Sequence, residues 1–161
     1  MRKKSEMQKR IVILLALLGV CVAVSACASN QRTNELPVAV SALRNANPNA
    51  EGQASPITVI LYQLNEKEAF YRVGYQDIFR GGAPFEGAVL GKKEVHLSPG
   101  RKKTLRWTID QDAHFVGVAA GFQLYDTKRW RVVQPVPSKK LRKHELVVVV
   151  TDAGLELDFV R

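Results

Sequence analysis

Eight consecutive residues, Ile57–Leu64 (ITVILYQL), are apolar at nearly every position. A strand sends successive side chains to opposite faces, so a run of this length and composition reads as a well-buried β-strand. Other segments suit the same kind of structure. Residues 36–43 alternate, with Val38, Val40 and Ala42 on one side, and Pro37 fits only the start of such a strand. Residues 94–97, 104–109, 115–124 and 130–133 are further strand candidates, and Ser98-Pro99-Gly100 supplies a turn between the first two of these. The C-terminus predicts a β-hairpin: residues 146–151, a turn at Asp152-Ala153-Gly154, then Leu155–Val160 with Leu155, Leu157 and Phe159 on one face.

One helix is expected to interrupt the strands. Asn65 can cap it, and Glu68 three residues on can reach back to the cap. Tyr71, Tyr75, Ile78 and Phe79 follow helical spacing and would pack on a sheet, and Gly81-Gly82 ends the helix. About eight strands with a helical insertion near residues 65–91 predict a mainly β fold, a two-sheet β-sandwich forming one domain over residues 36–161. Gly117 and Gly121 lie inside a strand candidate and mark a bulge or a close backbone approach.

The start of the chain has another purpose. Arg2, Lys3, Lys4, Lys9 and Arg10 precede an uncharged apolar run over residues 11–24. That run is short of the roughly 20 apolar residues a spanning helix needs, and with the small residues beyond it reads as a secretory signal. Met7 would serve equally as the start, since Lys9 and Arg10 remain. The small residues end in Cys: Val24-Ser25-Ala26-Cys27 resembles a bacterial lipobox. Residues 1–26 are then a signal peptide, Cys27 carries covalent lipid, and residues 27–35 form a polar tether. Each buried methylene of the lipid contributes about 0.8 kcal/mol, and multiple acyl chains make anchoring effectively permanent. Ala28, where an Asp would favour inner-membrane retention, favours the outer membrane, with the domain facing the periplasm.

The leader also changes the charge balance. The chain has 161 residues and a formal charge of +9. Five of its 24 basic and one of its 15 acidic side chains lie in the leader, leaving 19 and 14 in the mature chain. This mild excess argues against nucleic acid as a partner. Arg101-Lys102-Lys103 and Lys139-Lys140-Leu141-Arg142-Lys143 lie between strand-like segments and read as solvated loops, with an acidic partner or anionic headgroups as the functional alternative. With Cys21 in the leader and Cys27 acylated, no thiol is left for a disulfide, a metal or nucleophilic catalysis.

Catalytic signatures are sparse. His96, His114 and His144 are scattered without ligand spacing. Asp110 and Asp112 precede His114, but a metal site needs further ligands and support, and an Asp-rich turn accounts for them. There is no G-x-S-x-G, Walker or dinucleotide motif. No cofactor is expected beyond the lipid on Cys27, and the chain is read as a non-enzyme. A periplasmic lipoprotein that binds a small ligand or peptide is the alternative, and it would need a concave pocket with convergent polar groups.

The order of segments is similar to that of the type VI secretion lipoprotein family TssJ (VasD/SciN). After the lipobox come a strand and an Asn-Pro-Asn loop closing on Ser55-Pro56. A Pro-x-x-Val-x-x-Tyr-x-Leu pattern follows at Pro56, Val59, Tyr62 and Leu64, then a helix with Glu68-Ala69-Phe70. Leu97-Ser98-Pro99-Gly100, the run Phe115-Val116-Gly117-Val118-Ala119-Ala120, and Trp130-Arg131 continue the likeness. The resemblance implies a transthyretin-like sandwich with an added helical element. It also implies a non-enzymatic scaffold at the outer membrane that binds the periplasmic C-terminal region of the inner-membrane protein TssM, in a complex with TssL. By that resemblance the loop between the first two strands carries the contact. Here its residues are Asn45, Ala46, Asn47, Pro48, Asn49, Ala50, Glu51, Gly52 and Gln53. They hold no large apolar side chain, so their own contribution would be hydrogen-bonded.

The lipobox is directly testable. Labelled fatty acid enters the wild-type chain and does not enter Cys27→Ser, whose domain still folds because the anchor lies outside its core. Label retained in the variant overturns the assignment.

Overall fold

The computed structural model describes residues 34–79, 85, 87–138 and 141–161. The signal segment, Cys27 and most of the tether lie outside the described residues, as do Gly81-Gly82 and Lys139-Lys140. Among the described residues there are eight strands: β1 (Glu35–Ala42), β2 (Ile57–Leu64), β3 (Val89–Leu97), β4 (Lys102–Thr108), β5 (Phe115–Ala120), β6 (Arg131–Pro135), β7 (Glu145–Val150) and β8 (Leu155–Val160). Two short helices, α1 (Lys67–Arg72) and α2 (Tyr75–Phe79), follow β2. The strands form two four-stranded sheets, ordered β4-β1-β7-β8 and β3-β2-β5-β6. All pairings are antiparallel except β1 with β7. The expected two-sheet sandwich is the observed fold.

The apolar run of β2 explains the layering. Ile57, Val59 and Leu61 point between the sheets and join a core with Leu36, Val38, Val40, Val116, Val118, Leu146, Val148 and Leu155. Ile60, Tyr62 and Leu64 point the other way, into a second cluster with Phe70, Val73, Ile78 and Phe85. The helices therefore cover the outer face of the β3-β2-β5-β6 sheet, and β2 is buried on both sides. Gly117 in β5 makes this possible. A Cβ there would lie 2.9 Å from Leu64 Cδ1 and 3.3 Å from the Phe70 ring, so the glycine marks a close approach. The register shift in this sheet falls elsewhere, between Gln63 and Leu64.

The helical segment departs from the sequence expectation. It is two helices rather than one, and Asn65 does not cap either. Glu66 stands at the N-cap of α1 without a side-chain capping bond. The Asn65 Nδ2 instead donates to the Gly87 carbonyl at 3.0 Å, and its backbone N–H donates to Ala88 at 3.1 Å. Its amide thus closes the excursion where the chain returns to β3, a partner 22 residues away that local pattern does not reveal. Phe70 is the fully buried aromatic, and Tyr71 is 47% exposed. Helical periodicity located a packed face but not its phase, because the break at Gly74 resets it.

Other boundaries shift for reasons of pairing. β3 starts at Val89 rather than 94, since its Lys92-Lys93-Glu94 stretch pairs with β2 as an exposed edge. β5 ends at Ala120. Lys102 and Lys103 lie in β4 rather than in a loop, where charge on an edge strand discourages further pairing.

Strand directions sort the connections into two poles. The β1–β2, β3–β4, β5–β6 and β7–β8 connections meet at one: Gly100 N–H donates to Ala42 and Leu43, and Arg129 N–H to Ala153. Asn34, where the tether enters, lies at the other, accepting from Ile109 N–H at 2.9 Å.

Replacing Gly117 with Ala crowds the Leu64–Phe70 contact and lowers stability by about 1–3 kcal/mol. A reduced urea midpoint at unchanged m-value is the expected result; an unchanged midpoint contradicts this packing.

Candidate functional site: the loop pole

The β1–β2 loop, residues 43–56, is fourteen residues that the sequence presents as a polar connector, and its structure is ordered by two asparagines. Pro48 and Ala54 form a bridge that closes its outer part. Within that, Asn49 N–H donates to the Gln53 carbonyl at 2.9 Å and Gly52 N–H to the Asn49 carbonyl at 3.0 Å. The Asn49 side-chain oxygen accepts from Glu51 N–H at 3.1 Å and Gln53 N–H at 2.8 Å. An Asx oxygen that takes two turn amides fixes the tip without help from the rest of the fold. Gly52, at φ +78°, supplies the left-handed residue the turn requires.

Asn47 has a different task. It is 1% exposed and left-handed at φ 51°. Its Oδ1 accepts from Gln123 N–H at 2.8 Å, and its Nδ2 donates to the Pro56 carbonyl at 2.8 Å. One buried amide therefore joins the loop, the start of β2 and the β5–β6 connection. Ala46, fully buried, belongs to the intersheet core. Ala46 and Asn47, two of the residues expected to carry the partner contact, are thus buried and hold the loop in place. Asn45, Ala50, Glu51, Gly52 and Gln53 are exposed, and Pro48 and Asn49 are half-buried.

The same pole carries apolar side chains that sequence reasoning missed. Leu43 is 45% exposed and Leu124 43% exposed. Leu43 falls out of phase with the inward Val38, Val40 and Ala42 of β1, and that was the available signal. Leu124 follows the Phe122-Gln123 segment that Asn47 clamps, and it gave no signal because an ongoing strand was expected there.

The remaining candidates do not assemble. Asp110 Oδ1 accepts from Asp112 N–H at 2.9 Å, closing a turn, and His114 N–H donates to the Leu64 carbonyl. Among the described residues no three His, Cys, Asp or Glu side chains gather as metal ligands. His96 contacts the Thr58 hydroxyl at 3.0 Å, and His144 lies 3.3 Å from Arg161 Nε. The groups with shifted protonation sit in the helix layer. Burial, with the Glu94 carboxylate adding, pushes the Tyr62 phenol up to about 12. Burial and then the neighbouring Tyr125 raise Tyr75, whose hydroxyl donates to the Phe122 carbonyl at 2.7 Å. Burial lowers Arg131, which donates to the carbonyls of Phe70 (3.0 Å) and Val73 (2.7 Å) at the end of α1. These are structural partners packed among aromatic rings.

A β-sandwich whose connections lock together at one end is a loop-presenting module, in which a rigid scaffold positions a small contact surface. Residues 34–153 match the family described as "Type VI secretion lipoprotein, VasD, EvfM, TssJ", and the chain belongs to that family. No curated protein matches it in sequence. Among solved structures it is similar to the type VI lipoprotein TssJ1 from Pseudomonas aeruginosa, with 25% identity, a TM-score of 0.72, and coverage of 79% of this chain and 96% of that one. A chain of a structure described as a type VI membrane complex shows 29% identity and a TM-score of 0.69, with 77% and 97% covered. A chain of a structure described as the type VI protein TssM C-terminal domain (869-1107) from EAEC shows 27% identity and a TM-score of 0.58, with 79% and 98% covered.

Asn47→Ala strands the Gln123 N–H and the Pro56 carbonyl, at about 1–3 kcal/mol for each buried group left unpaired. The denaturation midpoint falls, and the Gln123 amide loses protection from hydrogen exchange. Unchanged protection there removes Asn47 from the clamp.

Proposed function

We propose that this chain is a non-enzymatic outer-membrane lipoprotein that anchors the type VI secretion trans-envelope complex. It does so by holding the periplasmic C-terminal region of TssM on its loop pole, with TssL in the same complex. The observation that carries this reading is polarity: the ordered, exposed loop lies at the pole opposite the entry of the tether at Asn34. With lipid on Cys27, seven residues separate the anchor from β1, a reach of roughly 25 Å when extended. The domain then sits close to the membrane with its loops turned away from it, toward a partner rising from the inner membrane.

The loop's internal bonds support the same role. A surface already fixed by Asn47 and Asn49 loses little conformational freedom on binding. Leu43 and Leu124 add the apolar area that the loop itself lacks, and buried apolar anchors within a polar surround are what usually carry affinity. The likeness to a chain in the TssM domain structure supports the choice of partner. About four-fifths of this chain covers 98% of that one, so the matched chain is of this protein's size, whereas the range 869-1107 is far longer. The non-enzymatic reading draws support from the placement of the perturbed groups, which serve packing in the helix layer.

The test keeps the clamp and changes the surface. Replacing Asn45, Ala50, Glu51 and Gln53 together with Ser leaves Asn47 and Asn49 in place, so the protein folds and remains in the membrane fraction. It is expected to lose capture of the TssM periplasmic domain. Capture at unchanged affinity moves the interface away from this loop.

A further inference from the structure

The two sheets differ on their outer faces. Helices cover the outside of the β3-β2-β5-β6 sheet. Among the described residues, neither apolar cluster includes any residue from the outside of the β4-β1-β7-β8 sheet. The register arranges that bare face in rows. One row runs Lys102–Ser41–Val149–Glu156, and the next runs Thr104–Ala39–Val147–Asp158. Both rows start polar or basic on β4, pass through small and apolar residues on β1 and β7, and end acidic on β8. Arg106, beside Pro37, continues the basic edge and ion-pairs with Glu35 of the same copy at 3.3 Å. Lys102, Arg106, Glu156 and Asp158 are all exposed, while Ala39 is sunk to 2% exposure between its neighbours.

Three interstrand steps separate Lys102 from Glu156, roughly 14 Å, which is too far for an ion pair within one copy. Along these two rows the face is therefore a dipole, polar or basic on β4 and acidic on β8, while Glu35 on β1 and Glu145 on β7 add acidic groups beyond them. Such a face complements itself. When two identical faces are laid together, a two-fold axis lying across the strands sets β4 on β4, with like charges opposed. A two-fold axis parallel to the strands sets β4 of each copy on β8 of the other, in the same row.

We propose that this bare face packs against the same face of a second copy of the chain, about a two-fold axis parallel to the strands. Lys102 of each copy then lies opposite Glu156 of the other, and Arg106 is in diagonal reach of Asp158, with the Ala39, Val147 and Val149 strip closing the centre. An axis along the strands also preserves strand direction. Both Asn34 ends emerge at one pole and both β1–β2 loops at the other, so two tethered copies pair on a single membrane without inverting either. This pairing involves the sheet alone and not the partner of the loop pole.

The size of the face sets the strength. Four strands about 4.8 Å apart and six residues long offer roughly 400 Å² per copy, below the about 800 Å² per partner of a standard stable interface. Pairing is accordingly weak in dilute solution and is populated where a shared membrane raises the effective concentration.

The test uses the full-length lipoprotein in the membrane of a bacterium without other secretion components. Two epitope-tagged forms are co-expressed and treated with a carbodiimide, which joins amines to carboxylates in direct contact. Wild-type copies are expected to be captured together, with a peptide joining Lys102 of one tag to Glu156 of the other. The pair Lys102→Glu/Arg106→Glu alone makes both edges acidic and loses capture. The pair Glu156→Lys/Asp158→Lys alone makes both edges basic and also loses it. Co-expressing the two variants restores opposite charges at both edges and restores capture, which also shows that each variant folds. Absence of wild-type capture overturns the proposal, as does failure of the mixed pair to restore it. Loss in only the first variant overturns it too, assigning the basic edge to an anionic surface instead.

Discussion

A strand buried on both faces cannot sit in a simple two-layer sandwich, because one of its faces would meet water. β2 is such a strand. Ile57, Val59 and Leu61 go to the intersheet core, and Ile60, Tyr62 and Leu64 go outward. Each such side chain contributes roughly 1.5–3 kcal/mol only if it is fully covered. The helices after β2 supply that cover, and the other features of this side follow from it. Phe70 must reach the sheet, so β5 must be bare of a side chain at Gly117. Arg131 must satisfy the carbonyls left open at the end of α1. Among the described residues this helical cover is one-sided.

Two buried amides hold the layers in register, one at each pole. Gln63, 3% exposed, reaches from β2 toward the other sheet, donating to Thr108 at 2.9 Å and accepting from Asp110 N–H at 2.7 Å. Asn47 does the equivalent work at the loop pole. A buried amide with both ends bonded is costly to misplace, since moving it leaves unpaired groups in an apolar setting. The two poles are thus specified by directional bonds, and the centre is filled by non-directional packing. The loop surface and Asn34 are held by the same sandwich at opposite ends.

Much of the fold was legible because its signals are local. β2 and β8 matched their expected limits, and the β7–β8 hairpin followed from alternation interrupted by a turn. Gly117, expected to mark a bulge or a close backbone approach, marks the close approach. The misses share a cause. Asn65 looked like a cap because Glu68 follows at capping-box spacing, yet its amide bonds Gly87. Tyr71 looked buried because it kept helical spacing with Tyr75 and Ile78, yet Gly74 breaks the helix and Phe70 takes the inner position. In the loop, the residue types announced hydrogen bonding, but Asn47 and Asn49 read alike although one faces the core and the other the tip.

The sequence by itself determined the mainly β fold, the limits of β2 and β8 and the family likeness, because each is written in neighbouring residues: alternation, turn residues, an order of short motifs. Tertiary structure alone decided which sheet the helices cover, that Asn34 and the loops stand at opposite poles, and that Lys102 and Glu156, more than fifty residues apart, end one row on the outer face of one sheet. These depend on strand order and register across distant segments. Register is fixed by the burial of whole faces together, a cooperative property that no local window of residues contains.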